Sequence, residues 1–205
     1  GRDRAVLVTE LTDRDLEAEE PEAIRIASGL GIVAGIRSGD ADVQPDQADA
    51  IVTAIAKELA LDPGTTLSAR LGALLHDVGY LAVPDTTLAR ARRGDPAAVE
   101  ALRAHGPIGA TLVARVPALA AAAPIVHHHE ERYDGTGAPD GLRAETIPLP
   151  ARIVATAIAY LEHLRDVDDH AHALERVRAE AGRRLDPGFV DALVRALAHR
   201  SELLA

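Results

Sequence analysis

The chain has 205 residues, of which 47% are hydrophobic, so it can bury one substantial core. No apolar run approaches the length of a transmembrane helix. The formal net charge of -10 and the scattered arginines argue against nucleic-acid binding, because an acidic surface repels the phosphate backbone. Cysteine is absent, which excludes disulfides and thiolate chemistry. These features predict one soluble domain without membrane contact, which we expect to be cytoplasmic.

The first 20 residues predict a segment separate from the main domain. The run from Asp13 to Glu20 is acidic and lacks apolar residues at helical spacing, so we interpret residues 1–20 as an acidic linker or docking arm. Residues 21–205 form the expected domain. Because the sequence begins at Gly1 and contains no methionine, we expect additional domains in the full-length chain.

Apolar residues at helical spacing dominate the chain from residue 21 onward. Aromatic residues make up only 2% of the sequence, which favours closely packed helices with a core of small and branched aliphatic side chains. The residues Asp62-Pro63-Gly64 stop one helix, and we expect Thr66 or Ser68 to cap the next. No stretch alternates with strand periodicity for long. The spacing predicts an all-α domain with helices over residues 21–37, 45–61, 95–104, 107–115, 117–128, 148–165, 170–183 and 187–203.

Histidines and one aspartate form the most informative pattern of the sequence. His76 and Asp77 follow an apolar run at the end of the helix that starts near residue 66, and His105 precedes a Gly-Pro-Ile-Gly turn. Three consecutive histidines, His127 to His129, run into a glycine-rich loop. Taken alone, a histidine at a helix end is typical of a structural residue. Together, imidazole nitrogens and a carboxylate suit divalent first-row metals, so the combination indicates a metal site.

Further motifs occur in order around these residues. They are residues 83–85 (Val-Pro-Asp), 105–109 (His-Gly-Pro-Ile-Gly), 134–137 (Asp-Gly-Thr-Gly), 147–153 (Ile-Pro-Leu-Pro-Ala-Arg-Ile) and 185–190 (Leu-Asp-Pro-Gly-Phe-Val). With His76 and Asp77, the ordered set resembles the HD-GYP family, a branch of the HD superfamily of metal-dependent phosphohydrolases. The resemblance covers residues 44–197 and implies an HD-superfamily helical bundle that cleaves cyclic di-GMP.

The resemblance also implies a set of metal ligands, which this chain matches only in part. His76, Asp77 and His105 match directly, and Asp77 is the candidate for a carboxylate that bridges two ions. The early histidine of the family falls on Gln44, and its later aspartate falls on Ile158. The family's His-His pair corresponds to His129 and Glu130 or, if one residue is inserted, to His128 and His129. We therefore expect a damaged site that holds either no ion or one divalent ion of iron, manganese or zinc.

Two positions that the family uses for substrate also differ. The lysine three residues after the aspartate is Tyr80 here, and the tyrosine of the Gly-Tyr-Pro signature is Ala138. A tyrosine hydroxyl can orient a phosphate but carries no positive charge near neutral pH. Asp77 and Tyr80 remain the catalytic candidates. The candidates for phosphate binding are Arg132, Arg143 and Arg152.

These residues leave three functions open. The first is a degenerate HD-GYP-type domain, a pseudoenzyme with a regulatory or assembly role in a signalling protein. The second is a metal-dependent phosphohydrolase of cyclic di-GMP or a related nucleotide, and the third is a sensor that binds a nucleotide without hydrolysis. The expected partners are a cyclic dinucleotide, other proteins or further domains of the full-length chain. An apolar stripe on the C-terminal helix either supports a homodimer or completes the core; it comprises Phe189, Val190, Leu193, Val194 and Leu197.

Overall fold

A computed structural model of the protein describes residues 21–39 and 45–204, so the predicted acidic arm and Gln44 lie outside the described residues. Within these ranges the fold is all-α, as predicted, and the only β feature is an isolated bridge between Ala181 and Leu185. The helices are α1 (Glu22–Ser38), α2 (Pro45–Glu58), α3 (Pro63–Leu75), α4 (Asp85–Arg92), α5 (Pro96–Leu102), α6 (His105–Val113), α7 (Ala123–His128), α8 (Leu149–Val167), α9 (His170–Glu180) and α10 (Pro187–Leu204). Short 3-10 helices cover Val78–Ala82, Ala120–Ala122 and Ala144–Thr146. No helix in the described ranges is long and apolar enough to cross a membrane.

Helix α3 lies at the centre of the packing. It contacts α1, α2 and α8, and its buried face includes Leu71, Leu74 and Leu75. The main core lies between α2, α8 and α10, where Tyr160 is completely buried. The apolar stripe of the C-terminal helix belongs to this core, because Leu193 is inaccessible and Leu197 is only 4% exposed. The stripe therefore completes the core of the chain, and the homodimer stays a prediction without this surface to support it.

Local details differ from the predictions at three places. The cap of α3 is Asp62, whose carboxylate accepts the backbone N–H groups of Gly64 and Thr65, and not Thr66 or Ser68. The reason is that Pro63 occupies the first helical position, where the fixed φ of proline and its missing N–H are favourable. The helix predicted over residues 117–128 is continuous only from Ala123 onward. Helix α4 was not predicted, because its eight residues bury only one large apolar side chain.

Candidate metal centre

Three histidines at the ends of different helices share one orientation. His76 directly follows α3, His105 begins α6 and His129 directly follows α7. In each ring, Nδ1 lies 2.8 Å from a carbonyl oxygen three residues earlier in the chain; these oxygens belong to Ala73, Leu102 and Val126. A carbonyl oxygen only accepts hydrogen bonds, so each Nδ1 must donate and each neutral ring leaves its lone pair on Nε2. All three side chains are at least 90% buried.

The lone pairs of these rings converge on Asp77. His105 Nε2 lies 3.1 Å from His129 Nε2 and 3.6 Å from Asp77 Oδ1, while His76 Nε2 lies 3.6 Å from Asp77 Oδ2. Two nitrogens that bind one zinc-sized ion are about 3.0 to 3.4 Å apart. Asp77, His105 and His129 therefore fit a divalent ion as an N2O ligand set. His76 contacts the other oxygen of the same carboxylate.

Burial keeps the ring of His129 neutral. It lowers the pKa of His129 to about 3, and the positive charges that His76 and His105 would carry lower it further in the same direction. The neutral ring of His129 keeps its Nε2 lone pair, and this atom lies 3.1 Å from Nε2 of His105. Two ring nitrogens at this separation can coordinate one metal ion. A neutral imidazole can bind such an ion without first losing a proton.

Close backbone contact holds Asp77 beside His105. A Cβ atom on Gly79 would lie 1.9 Å from the His105 carbonyl oxygen, so only glycine allows the 3-10 helix Val78–Ala82 to pack against the start of α6. Next to this contact, the ring of Tyr80 stacks on that of His105, with centroids 4.6 Å apart and planes at 25°. On the opposite side, Arg37 from α1 donates to the Tyr80 carbonyl oxygen at 2.9 Å. The substrate candidate Tyr80 is therefore also a support for a metal-ligand candidate.

The cluster opens into a cavity of about 790 Å³. His76, Asp77, His105 and His129 line one part of its wall. Other parts of the wall contribute charged side chains that the sequence did not single out as phosphate ligands; they are Arg103, Arg165 and Arg184. These arginines come from distant segments of the chain, and no local motif marks them. The guanidinium of Arg184 lies 2.7 Å from the carboxylate of Glu162, so the two charges balance each other at the cavity wall.

The degenerate positions line the same cavity. Ile158, Ala138 and Glu130 all contribute to its wall, and the side chain of Ile158 presents only carbon atoms there. Glu162, one turn after Ile158, is held by Arg184, and His163 faces Glu180 at 3.3 Å. Ile158 itself therefore offers no donor at the position of the family's later aspartate, while both ring nitrogens of His163, five residues later, are buried without a hydrogen-bond partner in the described part of the chain.

The structure places the members of the triple histidine in different surroundings. His129 points into the cluster and Glu130 lines the cavity, whereas His128 lies outside it and faces Asp140 and Glu131. The carboxylate of Glu131 is buried and accepts the backbone N–H groups of Asp140 and Leu142, at 2.8 and 3.1 Å. Glu131 thereby anchors the loop that follows α7.

The three arginines proposed for phosphate binding lie in different surroundings. Arg132 lines the cavity, and its Nε donates to the Thr136 hydroxyl at 3.0 Å. Arg152 does not line the cavity; its guanidinium pairs with Asp186 and lies 5.3 Å from the centre of the Phe189 ring. Arg143 also lies outside the cavity wall. Of the predicted set, only Arg132 can therefore meet a ligand in this cavity.

The helical fold and the histidine-aspartate cluster define the class of protein. The family model described as HD domain matches residues 31–189, and the chain belongs to this family. A solved structure of a cyclic GMP-AMP-specific phosphodiesterase of Vibrio cholerae has a TM-score of 0.69 at 17% identity and covers 88% of this chain and 50% of that chain. An HD-GYP-type protein of Bdellovibrio bacteriovorus has a TM-score of 0.58 at 19% identity, covering 94% of this chain and 77% of that chain. These structures confirm the fold that the motifs predicted.

Curated relatives share more of the sequence. A cyclic di-GMP phosphodiesterase response regulator of Xanthomonas campestris is 31% identical over 194 residues, which cover 91% of this chain and 51% of the relative. A cyclic di-GMP phosphodiesterase of Pseudomonas aeruginosa is 33% identical over 153 residues, which cover 72% of this chain and 37% of the relative. The chain thus spans about half, or less, of the length of these relatives.

Proposed function

We propose that this chain is a regulatory HD-GYP-type domain that holds one divalent metal ion and binds a cyclic dinucleotide without hydrolysing it. One observation supports this most directly. The ligand set Asp77, His105 and His129 converges at one end of a large cavity, while Ile158 presents carbon atoms to the same cavity. Among the described residues, the pocket thus offers one group of three donors close enough to hold an ion, and Ile158 adds no donor to it.

The proposed metal ligands are His105 Nε2, His129 Nε2 and Asp77 Oδ1. When bound, the ion would act as a Lewis acid that polarises a phosphoryl oxygen. The chain contributes the orientation, because Nδ1 of each imidazole is held by the carbonyl oxygen three residues earlier, which directs Nε2 toward the site. Tyr80, stacked on His105, is placed to donate a hydrogen bond to a phosphate at the cavity wall.

The proposed loss of hydrolysis follows from the missing ligands of a second ion, which would bind to the second oxygen of Asp77. A second ion at Oδ2 would have His76 as a ligand, but Ile158 stands where the family supplies a carboxylate, and Glu130 where it supplies an imidazole. Disturbing only the partners of metal ligands costs about 10- to 100-fold in affinity or activity, and removing the ligands themselves costs more. Without a paired ion, neither the attacking nor the leaving oxygen is stabilised from both sides.

The cavity suits a nucleotide in size and charge. Its volume of about 790 Å³ lies within the range of about 300 to 1,000 Å³ that is typical of small-molecule sites. Arg103, Arg132 and Arg165 line it and can meet phosphate oxygens, in a chain whose net charge is otherwise strongly negative. The cyclic dinucleotides named for its relatives motivate the choice of ligand.

A single-metal phosphohydrolase is the second candidate. It is favoured by the intact N2O set and by the position of Tyr80 beside that set, facing the cavity. In this case Asp77, His105 and His129 would hold the ion and Tyr80 would orient the scissile phosphate.

Metal analysis, nucleotide binding and hydrolysis distinguish these candidates. Untagged protein purified without chelator is analysed for iron, manganese and zinc, and cyclic di-GMP binding and cleavage are measured with added manganese. We expect one equivalent of metal at the centre, removed in Asp77→Asn, with binding but no cleavage. Cleavage that disappears in Asp77→Asn would establish the phosphohydrolase instead, and failure to bind any cyclic dinucleotide would refute the sensor.

A restoration experiment tests why hydrolysis is absent. Gln44→His together with Ile158→Asp supplies the two ligands that the family resemblance identifies as missing. We expect a second equivalent of metal and the appearance of cleavage. The matched control is Gln44→His with Ile158→Asn, which is also polar but lacks the negative charge. Equal behaviour of the two double variants would show that the missing carboxylate is not the cause.

A further inference from the structure

A second group of histidines and a carboxylate lies outside the cavity. His127 and His128 end α7, and Asp140 lies in the loop that follows. His127 Nε2 is 3.4 Å from Asp140 Oδ2, and His128 Nδ1 is 3.8 Å from the same oxygen. The potential ligand atoms of these three residues all lie within 4.8 Å of one another. None of the three lines the cavity of the central cluster.

The spacing of these atoms suits a small transition-metal ion. Ligands bound tetrahedrally to zinc at about 2.0 to 2.1 Å lie about 3.3 Å from one another. The distances of 3.4 and 3.8 Å require only a small side-chain adjustment to reach this value. His127 and Asp140 have side chains that are 31% and 53% exposed, so they can move and an ion can enter from solvent.

Nδ1 of His128 is buried and lacks a hydrogen-bond partner within the described residues. The nearest carboxylate oxygen on the other side is Glu131 Oε1, at 3.7 Å, and that oxygen already accepts the backbone N–H of Asp140. A buried polar atom without a partner is costly, and coordination of an ion would remove that cost.

We propose that His127 Nε2, His128 Nδ1 and Asp140 Oδ2 form a second, peripheral site for zinc or a similar divalent transition metal. Three protein ligands leave the fourth tetrahedral position to water. The site would join the end of α7 to the loop 138–142, in addition to the two hydrogen bonds that Glu131 accepts from that loop. Gly137, just before this loop, and Ala138, its first residue, both line the cavity, so the ion would also stabilise one wall of the central pocket.

Zinc stoichiometry tests this site independently of the central cluster. Untagged protein is dialysed against Zn²⁺, and bound zinc is measured by elemental analysis for wild type, His127→Ala, Asp140→Asn and Asp77→Asn. We expect His127→Ala and Asp140→Asn each to lose one equivalent of zinc, or to bind it more than about tenfold more weakly. Both variants should keep the ion of the central cluster, which only Asp77→Asn removes. His172→Ala is the matched control, because His172 faces Asp169 at the same 3.4 Å but has no second imidazole in the group.

Cobalt substitution provides a second readout that does not depend on counting. Co²⁺ in a tetrahedral site gives intense visible absorption, which we expect in Asp77→Asn and not in the double variant Asp77→Asn/His127→Ala. Circular dichroism of each variant verifies that the fold is retained. Unchanged zinc stoichiometry and affinity in both His127→Ala and Asp140→Asn, or an equal loss in His172→Ala, would overturn the proposal.

Discussion

Replacement of Gly79 by alanine tests the contact that joins the two halves of the metal centre. The new Cβ would lie 1.9 Å from the His105 carbonyl oxygen and 2.9 Å from the Gly109 nitrogen. An ordinary carbon-oxygen contact is about 3.3 Å or longer, so the 3-10 helix and α6 must separate by about 1.4 Å. Both obstructing atoms belong to the backbone and cannot rotate away.

The expected cost follows from this geometry. Overpacking typically destabilises by about 1 to 3 kcal/mol, and we expect Gly79→Ala to reach the upper end because no side chain can yield. The same displacement moves Asp77 away from His105, so metal affinity at the centre should fall by at least about 10-fold. The assay is urea unfolding monitored by circular dichroism, combined with manganese or zinc titration.

Gly29→Ala is the matched control for this experiment. Gly29 lies within α1, and a Cβ atom there would meet nothing within 4 Å. Alanine in an exposed helix interior is more favourable than glycine by about 0.5 to 1 kcal/mol, so this variant should be more stable than wild type. If Gly79→Ala unfolded within about 0.5 kcal/mol of wild type and bound metal normally, the inferred role of the contact would be wrong.

Three further predictions concern stability. Hydrogen bonds, above all from Thr65, lower the pKa of Asp62. The capping contribution of its carboxylate is therefore present at neutral pH and is lost as the pH falls below about 3.8, through the lowered pKa. Asp62→Ala should lower the urea midpoint at pH 7 and differ little from wild type at pH 2, whereas Asp62→Asn should retain the cap at pH 7. Tyr160→Phe removes the hydroxyl that lies 2.6 Å from His170 Nδ1 in the buried core, and should cost about 1 to 3 kcal/mol in urea unfolding, so a loss below about 0.5 kcal/mol would contradict the assigned contact. Glu131→Gln keeps the shape of the side chain but only one accepting oxygen for two backbone N–H groups of the loop 138–142; we expect about 1 to 3 kcal/mol of destabilisation and faster amide exchange in that loop, and unchanged exchange would refute its anchoring role.

The helical fold was predictable because its signals are local. The apolar spacing of α2 and α8 and the turn residues around Pro63 and Pro187 mark elements that the structure contains. The residues Asp62-Pro63-Gly64 predict a helix boundary but do not identify Asp62 as a cap, since the same Asp-Pro-Gly sequence can end one helix and begin the next. The short helix α4 has too few buried residues for its period to be visible.

The cavity wall was predictable only where a motif marks it. His76, Asp77, His105 and His129 stand in recognisable motifs, and the structure brings them together. Arg103, Arg165 and Arg184 face the same cavity because of how α5, α8 and the segment before α10 pack, and this depends on contacts between distant residues. Arg152 shows the reverse, because a motif marks it but it does not reach the cavity. Its guanidinium donates to Asp186, which lies 34 residues away in the sequence.

The three histidine rings of the central cluster are each oriented by a carbonyl oxygen only three residues away. Each acceptor is close in sequence: for His76 and His129 it belongs to the last turn of the helix that precedes the ring, and for His105 it is Leu102 at the end of α5. The ring of His105 has a second support, because Tyr80 stacks on it. A helix end that carries a histidine and its carbonyl acceptor three residues earlier is thus a short local unit, which a designed metal site could introduce as one piece.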